Sequence, residues 1–280
     1  TATCAGAAAA GPGARRIALV LLPLWGILVY DAFALAARLA GYESRTLWPE
    51  ILCAVVTAAL FAYTLAARDR GVEFVKEDLV EFRKVLAAHS LSWIGVQTMF
   101  VYMIGFVRYR FPDLDDDAAG RLLSLSFLVL NAVGALMPAF VLEPLTRRFG
   151  QVTVHTACLA TMAVGFAGAY AAAPTPAALY GWMALMGIGW GAIVSLPFAI
   201  MSQRVDQARI GLYMGVFNLS VVLPQLLVSL AIGTLLTRLE DQGAIFVVGA
   251  VSLAASALAW TFVRRAGDVV EVRDARAPAH

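Results

Sequence analysis

Eight apolar runs, each long enough to cross a bilayer as a helix, follow one another along this chain with short polar breaks between them. They cover 17–39, 47–67, 87–108, 122–145, 152–173, 177–201, 210–235 and 243–263. A hydrocarbon core about 30 Å thick is spanned by roughly 20 apolar residues in helical form. The pattern therefore predicts an all-α, polytopic membrane protein with eight transmembrane helices. Most breaks are short, as in a compact helical bundle. Two are longer: a mixed-charge stretch over 68–86 and an acidic one over 109–121.

Within 68–86, Val72, Val75, Leu79, Phe82 and Leu86 recur at helical spacing, with Glu73, Lys76, Glu77, Asp78 and Lys84 on other faces. That pattern predicts either a short amphipathic helix, lying at the inner membrane surface or against the bundle, or a plain connector. The chain is thereby divided into a flexible start (1–16), two spans (17–67), a linker (68–86), a six-helix unit (87–263) and a tail (264–280). Two spans plus six match helices five to twelve of a twelve-helix transporter. The opening TATCAGAAAAGPGARR has no initiator Met and lacks the order of a signal peptide. An internal start in a longer protein is expected, with helices one to four of that protein as the partner of this chain.

Charge distribution sets an expected orientation. With the start of the chain on the inner side, that side holds 13 basic residues from Arg15 to Arg265, against six on the other. The positive-inside rule then predicts both termini in the cytoplasm and a multi-pass protein of the cell (inner) membrane. Asp113, Asp115, Asp116 and Asp117 fall outside.

Composition narrows the chemistry. The chain is 61% hydrophobic and 14% charged, well below the roughly 25% charged residues of a soluble domain. Net charge is +2, and no basic run interleaves with aromatics, so nucleic acid is not an expected partner. Cys4, Cys53 and Cys158 lack metal-ligand spacing, and His89, His155 and His280 lie far apart in sequence. No metal and no cofactor are expected, and the cysteines read as small buried hydrophobes.

Polar groups within apolar runs are costly and ask for a partner or a function. Asp31 is the one acid well inside a run; it is a candidate proton-coupling group, or a hydrogen-bonded tie to a neighbouring helix. The uncharged polar groups align. Trp93 and Gln97 are four residues apart, so they share a face, and Tyr102 follows. Ser124 and Asn131, and likewise Asn218 and Gln225, are seven apart; Trp190 and Ser195 lie beside GIGWG. Amides and hydroxyls beside aromatic rings suit a neutral polyhydroxyl ligand, because they supply donors, acceptors and a flat apolar face. The same groups also serve as interhelical ties. Trp93, Gln97, Tyr102, Asn131, Trp190, Asn218 and Gln225 form the candidate substrate-binding set. Pro138, Pro197 and Pro224 kink or weaken their spans, and Gly187, Gly189 and Gly191 give one span a smooth stripe for close packing.

The segment from Gly187 to Gly249 resembles the sucrose:proton symporter family, within the glycoside-type major facilitators. It carries a Gly/Trp-rich helix ending in Ser195–Ala199 (SLPFA), followed by Gly211, Leu212, Met214, Gly215, Asn218, Leu219, Pro224 and Gln225 in the family's spacing. EPLTRRFGQ is similar to the facilitators' Gly-x-x-x-Asp-Arg-x-Gly-Arg gating loop. Arg148 and Gly150 match, whereas Arg147 replaces the Asp and Gln151 the second Arg, which puts the loop's usual charge relay in question. The resemblance covers roughly 86–265. It implies a facilitator fold, alternating access and proton-coupled uptake of a sucrose- or maltose-like glucoside, with a small-molecule sugar, protons and the bilayer as partners. It does not itself assign Asp31, since that family's essential acid belongs to the N-terminal half.

Two other readings stay open. Met99, Met103 and Met186 would suit a major facilitator for an amphipathic or drug-like solute, and an inactive transporter fragment is the second. An enzyme is not expected, because no pair of carboxylates or histidines converges within the apolar runs.

Overall fold

A computed structural model describes residues 12–42, 46–67, 78–232 and 241–264. Every regular element among them is helical. The order is α1 (Pro12–Val20), α2 (Trp25–Leu39), α3 (Trp48–Ala66), α4 (Leu79–Arg110), α5 (Asp116–Leu136), α6 (Glu143–Phe149), α7 (Gln151–Ala171), α8 (Pro176–Ser202), α9 (Ile210–Leu227) and α10 (Ala244–Trp260). Seven helical stretches among the described residues are long and apolar enough to cross a membrane; α10, at 17 residues, is a shorter apolar helix. With α10 counted, these correspond one for one to the eight apolar runs of the sequence.

Side-chain caps mark the starts of α5 and α8. Asp115 Oδ1 accepts from the amide of Ala118 at 2.7 Å, and Thr175 Oγ1 accepts from that of Ala178 at 3.2 Å. Each satisfies one backbone donor that a helix N-terminus leaves open. Two helices widen into π turns, Met137–Leu142 and Val228–Ile232. Pro138 lies within the first, and Pro224 precedes the second by four residues. A proline removes one backbone donor, and a wider turn relieves the clash of its ring.

Residues 68–77 of the expected linker lie outside the described residues. Its last part, 79–86, forms the first two turns of α4, with Phe82 and Leu86 fully buried. Phe82 and Leu86 there pack against the bundle, one of the placements the pattern allows.

In the six-helix unit α10 packs between α4 and α7, α8 between α7 and α5, and α9 against α4 and α2. Serines tie α10 to α4: Ser256 donates to the Ala88 carbonyl at 2.7 Å and Ser252 to that of Leu91 at 2.7 Å. The glycine stripe of α8 works as expected. A Cβ on Gly191 would lie 2.5 Å from the Gly134 carbonyl, and one on Gly187 would lie 2.8 Å from the Leu130 carbonyl. On the opposite side of α8, a Cβ on Gly189 would collide with Met162 of α7. Only glycine permits backbones this close, and close packing substitutes for a hydrophobic drive in lipid.

One end of the unit is held by buried charge. Lys84 Nζ donates to Glu81 Oε1 at 2.7 Å and to the Phe262 carbonyl at 3.2 Å. Glu81 Oε2 accepts from the Arg264 amide at 2.6 Å, and Arg204 Nη2 donates to the Arg264 carbonyl at 2.6 Å. Burial lowers the Arg204 guanidinium from its ordinary pKa, against the opposing pull of Glu81 and Asp78. The ends of α4, α8 and α10 are thereby joined through one network.

Candidate functional site

The strongest convergence of polar and aromatic groups lies where α4, α5 and α8 meet. Trp190 Nε1 donates to Asn131 Oδ1 at 3.0 Å, although the two are 59 residues apart in sequence. Asn131 in turn donates from Nδ2 to the Phe127 carbonyl of its own helix at 2.8 Å, which fixes the amide's orientation. Trp93 meets Trp190 edge to face, with centroids 6.0 Å apart. Phe100 stacks on Phe127 and lies edge-on to Trp190, both at 5.2 Å.

Glycine makes room for this arrangement. A Cβ on Gly134 would lie 2.6 Å from Cδ1 of Trp190, so the indole lies directly against the α5 backbone. Asn131 is exposed and Trp93, Gln97 and Trp190 are half-buried. The side chains of this cluster carry no formal charge. An amide held by its own helix and an indole held by that amide present a rigid surface with hydrogen-bonding groups at its edge.

Of the expected set, Trp93, Asn131 and Trp190 come together here, and Gln97 lies one turn along α4 on the same face. Tyr102 does not join them. Its hydroxyl donates to the Val228 carbonyl at 3.1 Å, tying α4 to the π turn after α9. Asn218 is exposed on α9, next to the buried Phe217, and Gln225 is half-buried two turns further on. Ser124 and Ser195 each donate back to their own helix, to Gly120 at 2.9 Å and Gly191 at 2.6 Å. Met99, Met103 and Met186 are all core residues, so they do not line the exposed face.

Arg148 and Gly150, expected from the resemblance to belong to a gating loop, lie at the α6–α7 turn. Gly150 has φ 82°, a conformation that suits glycine, and it joins the two helices directly. Arg148 lies over the ring of Phe149 at 5.1 Å. Arg147, in the place of the family's Asp, pairs with Glu143 of its own helix at 2.6 Å. Gln151, in the place of the second Arg, accepts from Gln203 at 3.2 Å. An amide contact to the α8 end thus stands where a charge relay was in question.

Asp31 is 4% exposed on α2, and neither carboxylate oxygen has a hydrogen-bond partner among the described residues. A second acid, Glu50 of α3, lies in the same helix pair. It accepts from the Tyr30 hydroxyl at 3.1 Å, and its other oxygen is buried without a partner among the described residues. Sequence reading counted Asp31 alone, because Glu50 sits in the first turn of its helix, where an acid is ordinarily exposed.

Two further residues were missed. Gly134 gave no signal in sequence. His89 did, because it precedes Trp93 by one helical turn; its Nε2 accepts from the Trp93 indole at 2.9 Å.

A groove lies elsewhere. A space of about 640 Å³ runs between α3 and the α4–α10 pair, lined by Phe61, Leu65, Ile94, Leu258 and Phe262, with Glu50 also among its lining residues. Its walls are otherwise almost wholly apolar, so a polar solute would find few partners there. Among the described residues no cluster of His, Cys, Asp or Glu could hold a metal ion.

Residues 112–279, more than half of the chain, match the family described as Major Facilitator Superfamily. No curated protein matches the chain.

Proposed function

The chain belongs to the Major Facilitator Superfamily, a superfamily of secondary transporters, and on that premise we propose that it carries a neutral sugar, a sucrose- or maltose-like glucoside, by alternating access. The observation that carries this reading is the Trp190–Asn131 contact with Trp93 beside it. A sugar ring has an apolar face and a rim of hydroxyls. An indole pair offers the first a surface, while Asn131 and Gln97 offer the second donors and acceptors. A charged solute would find no counter-charge on these side chains.

In this reading the protein resembles the sucrose:proton symporters, and proton movement falls to Asp31. An acid in a membrane helix with no fixed partner is a natural site for reversible protonation. Tyr30 and Glu50 beside it extend the polar path between α2 and α3. The α6–α7 turn with Arg148 and Gly150 gates the inner side. Both ends of the chain face the cytoplasm and the protein resides in the cell membrane, as the bias of basic residues favours.

Cells expressing the protein are expected to accumulate radiolabelled sucrose or maltose, with the accumulation abolished by a protonophore. Absence of accumulation, with folded protein present in the membrane, would remove the sugar from this account. Accumulation insensitive to the protonophore would remove the proton.

A further inference from the structure

His89 is 0% exposed and belongs to none of the roles assigned above. It lies on α4 one turn before Trp93, and its ring stacks on Phe217 of α9, with centroids 4.9 Å apart and planes at 15°. Phe217 is itself fully buried and lies edge-on to Phe198 of α8 at 4.9 Å. The imidazole is thus immobilised by packing on one side. On the other, its Nε2 receives the Trp93 indole N–H at 2.9 Å.

We infer that His89 is the positioning residue of the Trp93 platform. An indole nitrogen can only donate. His89 Nε2 must therefore keep its lone pair, and the neutral ring carries its proton on Nδ1. Nδ1 has no hydrogen-bond partner among the described residues. A buried donor without an acceptor is costly, so this tautomer is held because Trp93 requires it. The order of contacts then runs from the buried core to the exposed face. Phe217 fixes His89, His89 fixes Trp93, and Trp93 meets Trp190, which Asn131 anchors. The consequence for transport rests on the reading of this face as the sugar site; the positioning itself does not.

The test separates the two. In wild-type protein labelled with ¹⁵N-histidine, assigned against His89→Gln, the spectrum is expected to show His89 as the Nδ1–H tautomer. An Nε2–H tautomer overturns the inference without any change to the core. Ultraviolet resonance Raman of the indole N–H, as a difference against Trp93→Phe, reads the bond itself. His89→Leu is expected to lose the hydrogen-bonded signature, and His89→Gln, whose carboxamide oxygen can accept, to keep it. His89→Met serves where His89→Leu lowers the yield. An unchanged signature in the apolar variants also overturns the inference. For maltose uptake, the apolar variants are expected to raise KM about tenfold with little change in maximal rate, and His89→Gln to restore it. A lost signature with KM unmoved in both His89→Leu and Trp93→Phe upholds the positioning and removes the face as the sugar site.

Discussion

Trp190 on α8 and Asn131 on α5 meet through a 3.0 Å hydrogen bond at the exposed face of the bundle, and Gly134 keeps the space the indole needs. The amide cannot rotate freely, since its nitrogen is bound to the Phe127 carbonyl. Replacing Asn131 with Leu removes the acceptor and leaves the indole N–H unbound at a half-buried position. The expected result is a KM for sugar uptake raised about fivefold, in line with a loss of roughly 1 kcal/mol from one hydrogen bond. Surface expression should stay near wild type. Kinetics identical to wild type would separate this contact from solute binding.

The glycines of α8 make a second, purely structural prediction. Gly191→Ala places a Cβ 2.5 Å from a backbone oxygen of α5, which cannot move aside as a side chain could. A loss of about 1–3 kcal/mol is expected, read as a lower thermal midpoint in detergent. Gly211 and Gly215, although part of the resemblance that points to sugar symporters, have nothing within 4 Å of an added Cβ. Alanine at either should leave the midpoint nearly unchanged.

Buried charge at the end of the unit gives a third. Glu81→Leu strands Lys84 among the ends of α4 and α10. Breaking one partner of a buried pair typically costs about 3–5 kcal/mol, while replacing both is far milder. Thermal unfolding should therefore show a large loss in Glu81→Leu and substantial recovery in the double variant with Lys84→Met. Additive losses in the double variant would mean the two side chains act independently.

Much of this architecture was legible in sequence, because a bilayer imposes a length on every span. All eight apolar runs correspond to helices, and the glycine stripe of α8 was recognised by its spacing alone. Faces were legible too, which is why Trp93 and Gln97 were paired. What one sequence does not carry is which face meets which. Asn131 and Trp190 belong to different helices, and only their packing shows the contact. Ser124 and Ser195 looked equivalent to Asn131, yet a hydroxyl one turn above a carbonyl satisfies itself within its own helix. Met99, Met103 and Met186 looked available and are core. Residues 79–86 read as linker because Glu81 and Lys84 are charged, and the structure neutralises both within α4.

Asp31 is the titratable group between α2 and α3 to which the proposed mechanism gives the proton, with Glu50 and Tyr30 beside it. Asp31→Asn keeps the shape and removes the exchangeable proton. In the proposed mechanism it flattens the dependence of uptake on external pH while leaving solute exchange without a gradient intact. A pH profile superimposable on that of the wild type would remove Asp31 from the proton path.

Solute exchange is also the most direct measurement of the central claim, because it needs neither a proton gradient nor a known stoichiometry. Purified protein would be reconstituted into liposomes loaded with unlabelled maltose or sucrose, and entry of the labelled sugar followed after dilution. The account predicts a transient accumulation of label above the external level, lost in Trp190→Ala. Reconstituted, folded wild-type protein that gives no such accumulation with either sugar would contradict it.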